Sequence, residues 1–215
     1  MQAKSIAGLL AVMAAIWGVG ALWVCHGSAC APGSWDARIL HWFDGIRTAA
    51  LDGLLSALTW MGSLAVLVPL AAAAVIWLLV VRRRREAILV GAALVGISAI
   101  THALKLTIAR PRPAWHEAVI AMPLDLSYPS AHAAQSRAVV WACVLVSGSM
   151  KIRRVGLIAA FGALLVLVVC ASRLYLQVHF PSDVLAGCLA AMLWVTTLAH
   201  LLPVGNDERY DDAKT

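Results

Sequence analysis

The chain has 215 residues, of which 62% are hydrophobic and 13% are charged, and its formal net charge is +6. Soluble domains are nearer to one-half apolar and one-quarter charged, so this composition excludes an ordinary soluble domain and predicts an integral membrane protein. The positive charges lie in short gaps between long apolar runs, which indicates membrane topology rather than nucleic-acid binding.

Six apolar runs are long enough to cross a bilayer, taking about 20 residues for each crossing. The first is interpreted as a retained span, because it has no short apolar region followed by a small-residue cleavage site. We therefore expect one all-α, six-span membrane domain over residues 1–215. The predicted spans are 6–24, 57–81, 86–108, 134–150, 155–176 and 184–203.

The basic clusters predict how these spans are oriented. Lys4 precedes the first span, four arginines at 82–85 separate the second from the third, and KIRR at 151–154 separates the fourth from the fifth. Because positive residues remain on the cytoplasmic side, we expect both termini to be cytoplasmic, in a bacterial inner membrane. The periplasmic face would contain the connections 25–56, 109–133 and 177–183.

The first outer connection is predicted to contain an amphipathic helix at the membrane surface, over about residues 35–50. Packing explains such a helix better than guidance of a lipid substrate. Cys25 and Cys30 precede it and would face an oxidising compartment, which permits a disulfide between them. Apolar residues at helical spacing are Trp35, Ile39, Trp42, Phe43 and Ile46, with Asp36, Arg38, Asp44 and Arg47 mostly on the other face.

Polar side chains cluster at the ends of three predicted spans, all on the face predicted to be periplasmic. Side chains that merely extend toward lipid head groups would occur on both faces. Their concentration on one face instead favours a common site. The residues are Lys105, Arg110 and Arg112 from KLTIARPRP, Ser130 and His132 from YPSAH, and Arg173, His179 and Asp183 from SRLYLQVHFPSD.

These residue types suit phosphate chemistry. Arginine binds phosphate bidentately, and lysine adds a compact positive charge beside it. Ser130 is placed to cap the next helix, where free backbone N–H groups would face an anion. Two histidines can divide phosphoryl transfer, since one attacks phosphorus and the other protonates the leaving oxygen. Asp183 follows His179 by four residues, close enough to hold one ring nitrogen and leave the other free.

Metal ligands do not form a recognisable pattern in the sequence. There is no set of carboxylates suited to magnesium and no Cys/His set suited to zinc. We therefore expect chemistry that requires neither a metal ion nor another cofactor.

In their order and internal spacing, the three clusters resemble the tripartite signature of the type-2 phosphatidic acid phosphatase superfamily, which is related to the vanadium haloperoxidases. The resemblance covers about a third of the chain, and the six predicted spans are similar to the membrane branch of that superfamily. The matching residues are Lys105 with Arg112-Pro113, then Pro129-Ser130-Ala131-His132, then Ser172-Arg173 with His179 and Asp183.

The resemblance implies a role for each matching residue. His179 would be the nucleophile that forms a phosphohistidine, Asp183 would orient it, and His132 would protonate the leaving group and then activate water. Arg110 lies outside the signature and is interpreted as a loop cation or an indirect helper. The phosphate oxygens would be bound by Lys105, Arg112, Ser130, the Ala131 backbone N–H and Arg173.

One position departs from the superfamily pattern. The second motif usually reads Pro-Ser-Gly-His, whereas this chain has Ala131 in place of the glycine. Alanine suits the first turn of a helix but resists positive φ. Because a helical run follows, we expect a negative φ at Ala131 and only a slightly narrower pocket.

The predicted function is metal-independent dephosphorylation of a membrane lipid at the outer membrane–water boundary. Polyprenyl pyrophosphate is the first candidate substrate because the chain is compact and has no large head-group domain. Phosphatidylglycerol phosphate, phosphatidate and lipid A phosphate stay open. Two alternatives also stay open, namely phosphotransfer to another lipid and lipid-phosphate binding or transport without chemistry. The expected partners are the lipid and the bilayer, and no nucleic acid is expected.

Overall fold

The computed structural model describes residues 34–202 and residue 204, and the secondary structure of this part is helical. The predicted span at 6–24, the Cys25–Cys30 disulfide and the placement of both termini fall outside the described residues. The elements are α1 (Trp35–Gly45), α2 (Ala49–Leu58), a 3₁₀ turn (Thr59–Gly62), α3 (Leu64–Val80), α4 (Arg84–Ile108), α5 (Ala131–Ser149), α6 (Val155–Tyr175) and α7 (Pro181–Leu201).

Three of the described helices are long and apolar enough to cross a bilayer alone, namely α4, α6 and α7. The pair formed by Ala49–Gly62 and Leu64–Val80 becomes a fourth if its 41° bend lies within one span. The all-α fold class is therefore confirmed within the described residues, whereas the prediction of six spans is confirmed only in part.

The second predicted span, 57–81, is not one continuous helix. Between α2 and α3, the 3₁₀ turn is followed by Ser63 in extended backbone, with φ of −82° and ψ of 153°. Gly62 packs against α5 and α6: a Cβ there would lie 3.2 Å from Cβ of His132 and 2.6 Å from Cγ1 of Val169. The chain is thus interrupted where it packs against neighbouring helices, and apolar composition does not encode that contact.

The fourth predicted span, 134–150, is helical but is not among the described helices that could cross a bilayer alone. α5 begins at Ala131 and carries Gln135, Ser136 and Arg137 in its first two turns. It contacts α4, α6 and α7, so protein surrounds much of its surface. Polar residues are tolerated at such a position because they face the bundle interior rather than lipid.

The segment predicted as one amphipathic helix, 35–50, forms two helical pieces. Thr48 interrupts it, since its hydroxyl accepts a backbone hydrogen bond of 3.3 Å and caps α2. The pattern predicted for α1 puts Trp42 on the apolar face, yet Trp42 is exposed and Leu40, outside that face, is buried. Asp36 departs from that pattern: it was expected mostly on the polar face, yet it is only 5% exposed. A buried carboxylate requires a partner, and this one lies near the candidate site.

The main core lies among α3, α4, α5 and α7, and many of its side chains are small. Small residues let membrane helices approach closely, so van der Waals contacts replace the hydrophobic driving force that water provides elsewhere. This packing brings the beginnings of α5 and α7 together at one end of the bundle. Fully buried alanines in this core are Ala93, Ala134, Ala138, Ala142 and Ala191.

Candidate active site

The site forms where α5 and α7 begin. The Ser130 N–H donates a 3.0 Å hydrogen bond to the Asp183 carbonyl, which joins the two helix starts. Gly187 permits this approach, because a Cβ at that position would lie 2.6 Å from the Ser130 carbonyl oxygen. The second and third motifs of the sequence therefore meet through backbone contact as well as through their side chains.

His179 lies in the short connection between α6 and α7 and is 2% exposed. Its Nδ1 is 3.5 Å from Asp183 Oδ2 and 3.5 Å from Ser127 Oγ. Its Nε2 is 3.2 Å from Arg112 Nη1. Since arginine only donates, this geometry suits a ring that is protonated at Nδ1 and has a lone pair at Nε2.

Asp183 is held by several donors. Its Oδ2 accepts hydrogen bonds from the Ser127 hydroxyl and, at 2.9 Å, from the Phe180 N–H. Its Oδ1 accepts a 2.6 Å hydrogen bond from Arg110 Nη1. Arg110, interpreted from sequence as a loop cation or helper, is thus a direct partner of Asp183. Ser127 was not predicted as a site residue, because its place three residues before Ser130 is the only signal it carries in the sequence.

Three cations of the signature lie on the other side of His179. Lys105 is 5% exposed and Arg173 is 2% exposed, and the side chain of Arg112 is 7% exposed. Arg173 Nη1 donates to Thr59 Oγ1 at 2.8 Å, while no described residue accepts from its Nε. Burying several like charges together is costly without an anion between them, so this cluster is suited to binding one.

Ser130 occupies the predicted N-cap position of α5, but its hydroxyl does not cap the helix. The residue is 0% exposed, and its Oγ has no hydrogen-bond partner within residues 34–202. A buried hydroxyl at the start of a helix, beside the unpaired N–H groups of the first turn, suits a bound phosphate oxygen. The predicted capping interaction of Ser130 is therefore absent, and its role in binding phosphate stays a prediction.

Ala131 is the first residue of α5 and is not among the described non-glycine residues with positive φ. The expectation of a negative φ is confirmed, so the backbone here tolerates alanine in place of glycine. His132 follows directly, and the charges of Arg173, Arg112 and Lys105 all act on its ring. The arrangement brings both histidines and all three cations of the signature within electrostatic range of one another.

The pKa of His179 is lowered well below its usual value. Burial is the largest cause, followed by the positive charges of Arg112, Arg173 and Lys105. The ring is consequently neutral at physiological pH. Only a neutral imidazole has a lone pair with which to attack phosphorus.

Asp125 is an acid within the site that sequence analysis missed. Its carboxylate lies 3.0 Å from Lys105 Nζ and also accepts a hydrogen bond from Arg112, although its side chain is 55% exposed. Burial alone would raise the pKa of Asp125, but the hydrogen bonds from Lys105 and Arg112 outweigh it and lower the pKa to about 2. An anionic group therefore already rests on two of the cations that the signature assigns to phosphate.

The sequence matches the PAP2 superfamily over residues 86–206, a range that contains all three motifs. This chain belongs to the PAP2 superfamily. It is 38% identical over 109 residues to a decaprenylphosphoryl-5-phosphoribose phosphatase of Mycobacterium tuberculosis, found in strains CDC 1551 / Oshkosh and ATCC 25618 / H37Rv. That alignment covers 49% of this chain and 55% of the relative, so the chain spans about half the length of the curated relatives it matches.

Two proteins of known crystal structure share the fold. The transmembrane PAP2 type phosphatidylglycerolphosphate phosphatase from Bacillus subtilis superimposes with a TM-score of 0.74 at 19% identity, covering 98% of this chain and 97% of that one. Aquifex aeolicus LpxE superimposes with a TM-score of 0.63 at 24% identity, covering 81% of this chain and 98% of that one. The helical architecture expected from the resemblance is thereby confirmed.

Proposed function

We propose that this PAP2 protein is a metal-independent lipid phosphatase that works through a phosphohistidine on His179. The observation that carries the proposal is the placement of this buried ring, with Asp183 at Nδ1 and a guanidinium at Nε2. Around it lie three cations and the unpaired Ser130 hydroxyl. Such a site binds a phosphoryl group and presents it to a neutral nucleophile.

In the proposed reaction, Lys105, Arg112 and Arg173 bind the phosphate oxygens together with the Ser130 hydroxyl and the N–H of the α5 start. His179 Nε2 attacks phosphorus, and a P–N bond forms as the bond from phosphorus to the lipid oxygen breaks. His132 takes up a proton from solvent as the anionic phosphate binds beside it, and it donates that proton to the leaving oxygen. The developing positive charge on His179 is stabilised by Asp183, which accepts a hydrogen bond from the Nδ1–H.

The second half of the reaction restores the site. His132, now neutral, accepts a proton from a water molecule, whose oxygen attacks the phosphohistidine. The P–N bond breaks, inorganic phosphate leaves, and His179 is again neutral. The net change is hydrolysis of one phosphate ester or anhydride, with the charge on the equatorial oxygens stabilised throughout by the cations.

For the substrate, we propose a polyprenyl-linked phosphate or pyrophosphate. The curated relatives are named for decaprenylphosphoryl-5-phosphoribose, which supports a polyprenyl chain ahead of a diacylglycerol. Phosphatidylglycerol phosphate is the main competitor, since it appears in the name of the Bacillus subtilis protein of the same fold.

For the location, we propose a single six-span domain in a bacterial inner membrane, with the site facing the periplasm. The support is the basic residues at 82–85 and 151–154, at the opposite ends of α4 and α6 from Lys105 and Arg173. A cysteine introduced at position 84 should be shielded from an impermeant thiol reagent in intact cells. Labelling there would invert the proposed topology.

The direct test is phosphate release by detergent-purified protein, with excess chelator, from polyprenyl pyrophosphate, a polyprenylphosphoryl sugar phosphate and phosphatidylglycerol phosphate. Wild type should release phosphate and His179→Ala should not. The exposed His200 at the far end of α7 provides the control, because His200→Ala should retain wild-type rates. Activity in His179→Ala would refute the assigned nucleophile, and a phosphorylated lipid product would indicate transfer instead of hydrolysis.

A further inference from the structure

Two buried side chains outside the signature contact its third motif. Arg110 is 1% exposed, and Asp36 in α1 is 5% exposed. Asp36 also lies outside the range 86–206 that matches the superfamily. The signature therefore assigns neither residue a task, although both belong to the hydrogen-bond network around Asp183.

Arg110 links two carboxylates. Its Nη1 donates to Asp183 Oδ1 at 2.6 Å, and its Nη2 donates to Asp36 Oδ2 at 2.8 Å. The guanidinium also lies over the Phe180 ring, 3.7 Å from the ring centroid. A planar guanidinium that is hydrogen-bonded to two carboxylates and stacked on an aromatic ring has little freedom to rotate.

Asp36 in turn joins α1 to the first turn of α7. Its Oδ1 accepts a 2.9 Å hydrogen bond from the Ser182 N–H, and its Oδ2 accepts a 2.6 Å hydrogen bond from the Ser182 hydroxyl. Ser182 immediately precedes Asp183. The Asp36 carboxylate thus contacts the backbone beside Asp183 and also Arg110, the cation that binds Asp183.

A second contact connects α1 with the segment that carries the nucleophile. The Gln177 side-chain amide donates to the Leu40 carbonyl at 2.9 Å, and both residues are fully buried. Gln177 adopts a positive φ of 59°, an uncommon conformation for a residue other than glycine. The backbone just before His179 is therefore supported by α1 where it turns sharply.

We propose that Asp36 and Arg110 are positioning residues that hold Asp183 so that its Oδ2 faces His179 Nδ1. Because Arg110 binds Oδ1, only Oδ2 remains for the Ser127 hydroxyl, the Phe180 N–H and the histidine ring. Loss of either positioning residue lets the carboxylate rotate and misaligns the nucleophile. This inference rests on the proposed phosphatase function, and it extends the site to a helix outside the superfamily match.

The experiment compares Asp36→Asn, Arg110→Ala and Arg110→Lys with Arg38→Gln, which changes an exposed residue on the same helix. We expect Asp36→Asn to lower kcat about tenfold and Arg110→Ala about a hundredfold, the scale of a misplaced catalytic group. KM should change less than about twofold, because neither residue contacts phosphate in the proposed complex. Arg110→Lys should recover part of the loss, and Arg38→Gln should match wild type.

Rates are normalised to the folded, monodisperse fraction of each variant, so that loss of folded protein is not counted as loss of catalysis. A second readout does not depend on turnover: the tautomer of His179, observed by NMR with ¹⁵N-labelled histidine and assigned with His179→Gln. Wild type should show the Nδ1-protonated form, and Asp36→Asn should shift the ring toward the Nε2-protonated form.

The outcomes separate the two proposals. A folded Asp36→Asn variant with wild-type kcat and an unchanged tautomer would overturn the positioning role. A raised KM at unchanged kcat would also overturn it, since that result indicates substrate binding. If wild type releases no phosphate but the tautomer still shifts in Asp36→Asn, the phosphatase proposal fails while the positioning of His179 stands.

Discussion

The two sides of His179 differ in how their polar groups are paired. On the Nδ1 side, Asp183 receives donors on both oxygens, and Arg110 links it to α1. On the Nε2 side, the Ser130 hydroxyl and Arg173 Nε have no partner among the described residues. The two sides are also built differently, because the first is fully buried whereas the second includes the half-exposed Asp125.

This contrast indicates a division of labour. A network in which Asp183 and Asp36 are each held by several donors is rigid and fixes the orientation of the ring. Unpaired buried donors are unfavourable in the free protein and become satisfied only when an anion enters. We infer that the Nδ1 side orients the nucleophile in every state, whereas the Nε2 side is completed by the substrate.

The largest expected effect comes from replacing Asp183, the central residue on the Nδ1 side of His179. Asp183→Asn should lower kcat by about 10³-fold or more, because an amide can stabilise the wrong histidine tautomer and cannot balance the positive charge that forms on the ring. KM should change little, since Asp183 does not bind phosphate in the proposed complex. Steady-state kinetics on the best lipid substrate would test this. A large rise in KM at wild-type kcat would contradict the division.

Replacing a cation on the Nε2 side should have a smaller effect, seen in kcat/KM. Arg112→Ala removes a bidentate donor from the phosphate, so kcat/KM should fall by about 10²-fold, the usual scale for one transition-state donor. Arg112→Lys should restore only part of this, because an ammonium cannot donate in the same fork geometry. If lysine restores full activity, Arg112 supplies charge alone and the bidentate contact is refuted.

The sequence predicts α4, α6 and α7 to within a few residues because each is a continuous apolar run. Its three motifs also indicate the superfamily through their residue types and spacing, and all three lie within the matched range 86–206. The sequence does not predict the bend within 57–81, which lies where Gly62 packs against His132 and Val169. Asp36 and Asp125 were missed for a related reason: their partners are distant in the chain, and no periodicity or spacing encodes such contacts.

The backbone contact between the starts of α5 and α7 can be loosened by adding one methyl group at Gly187. Gly187→Ala would place a Cβ 2.6 Å from the Ser130 carbonyl, which must move. We expect a destabilisation of about 1–3 kcal/mol, typical of overpacking, together with lower activity. Gly148→Ala in α5 is the matched control, since no described atom outside its neighbours and the backbone of its own helix lies within 4 Å of the added Cβ. Thermal unfolding in detergent measures both variants, and equal stability would show that the two helix starts tolerate separation.

The smallest expected effect has the opposite sign and concerns Asp125. In the proposed complex, phosphate displaces this carboxylate from Lys105 and Arg112, so Asp125→Asn should strengthen inhibition by inorganic phosphate about twofold to fivefold, the scale of a half-exposed ion pair. Asn retains the size and polarity of the side chain but not its charge. The inhibition constant of phosphate, measured for both proteins, tests the displacement.

The pH dependence of phosphate inhibition in wild type and Asp125→Asn follows from the pKa of Asp125. Burial alone would raise this pKa, but the neighbouring cations lower it to about 2. A carboxyl group whose pKa is depressed by folding stabilises the folded state above its unfolded pKa, and this contribution is lost as the pH falls toward 2. Asp125 therefore stays ionised from about pH 5 to pH 8, so the ratio of inhibition constants between wild type and Asp125→Asn should be constant across that range. A ratio that approaches one below pH 6 would show that Asp125 titrates far above this value and does not rest on the two cations. In that case the substrate alone would have to supply the anion that binds the cations on the Nε2 side.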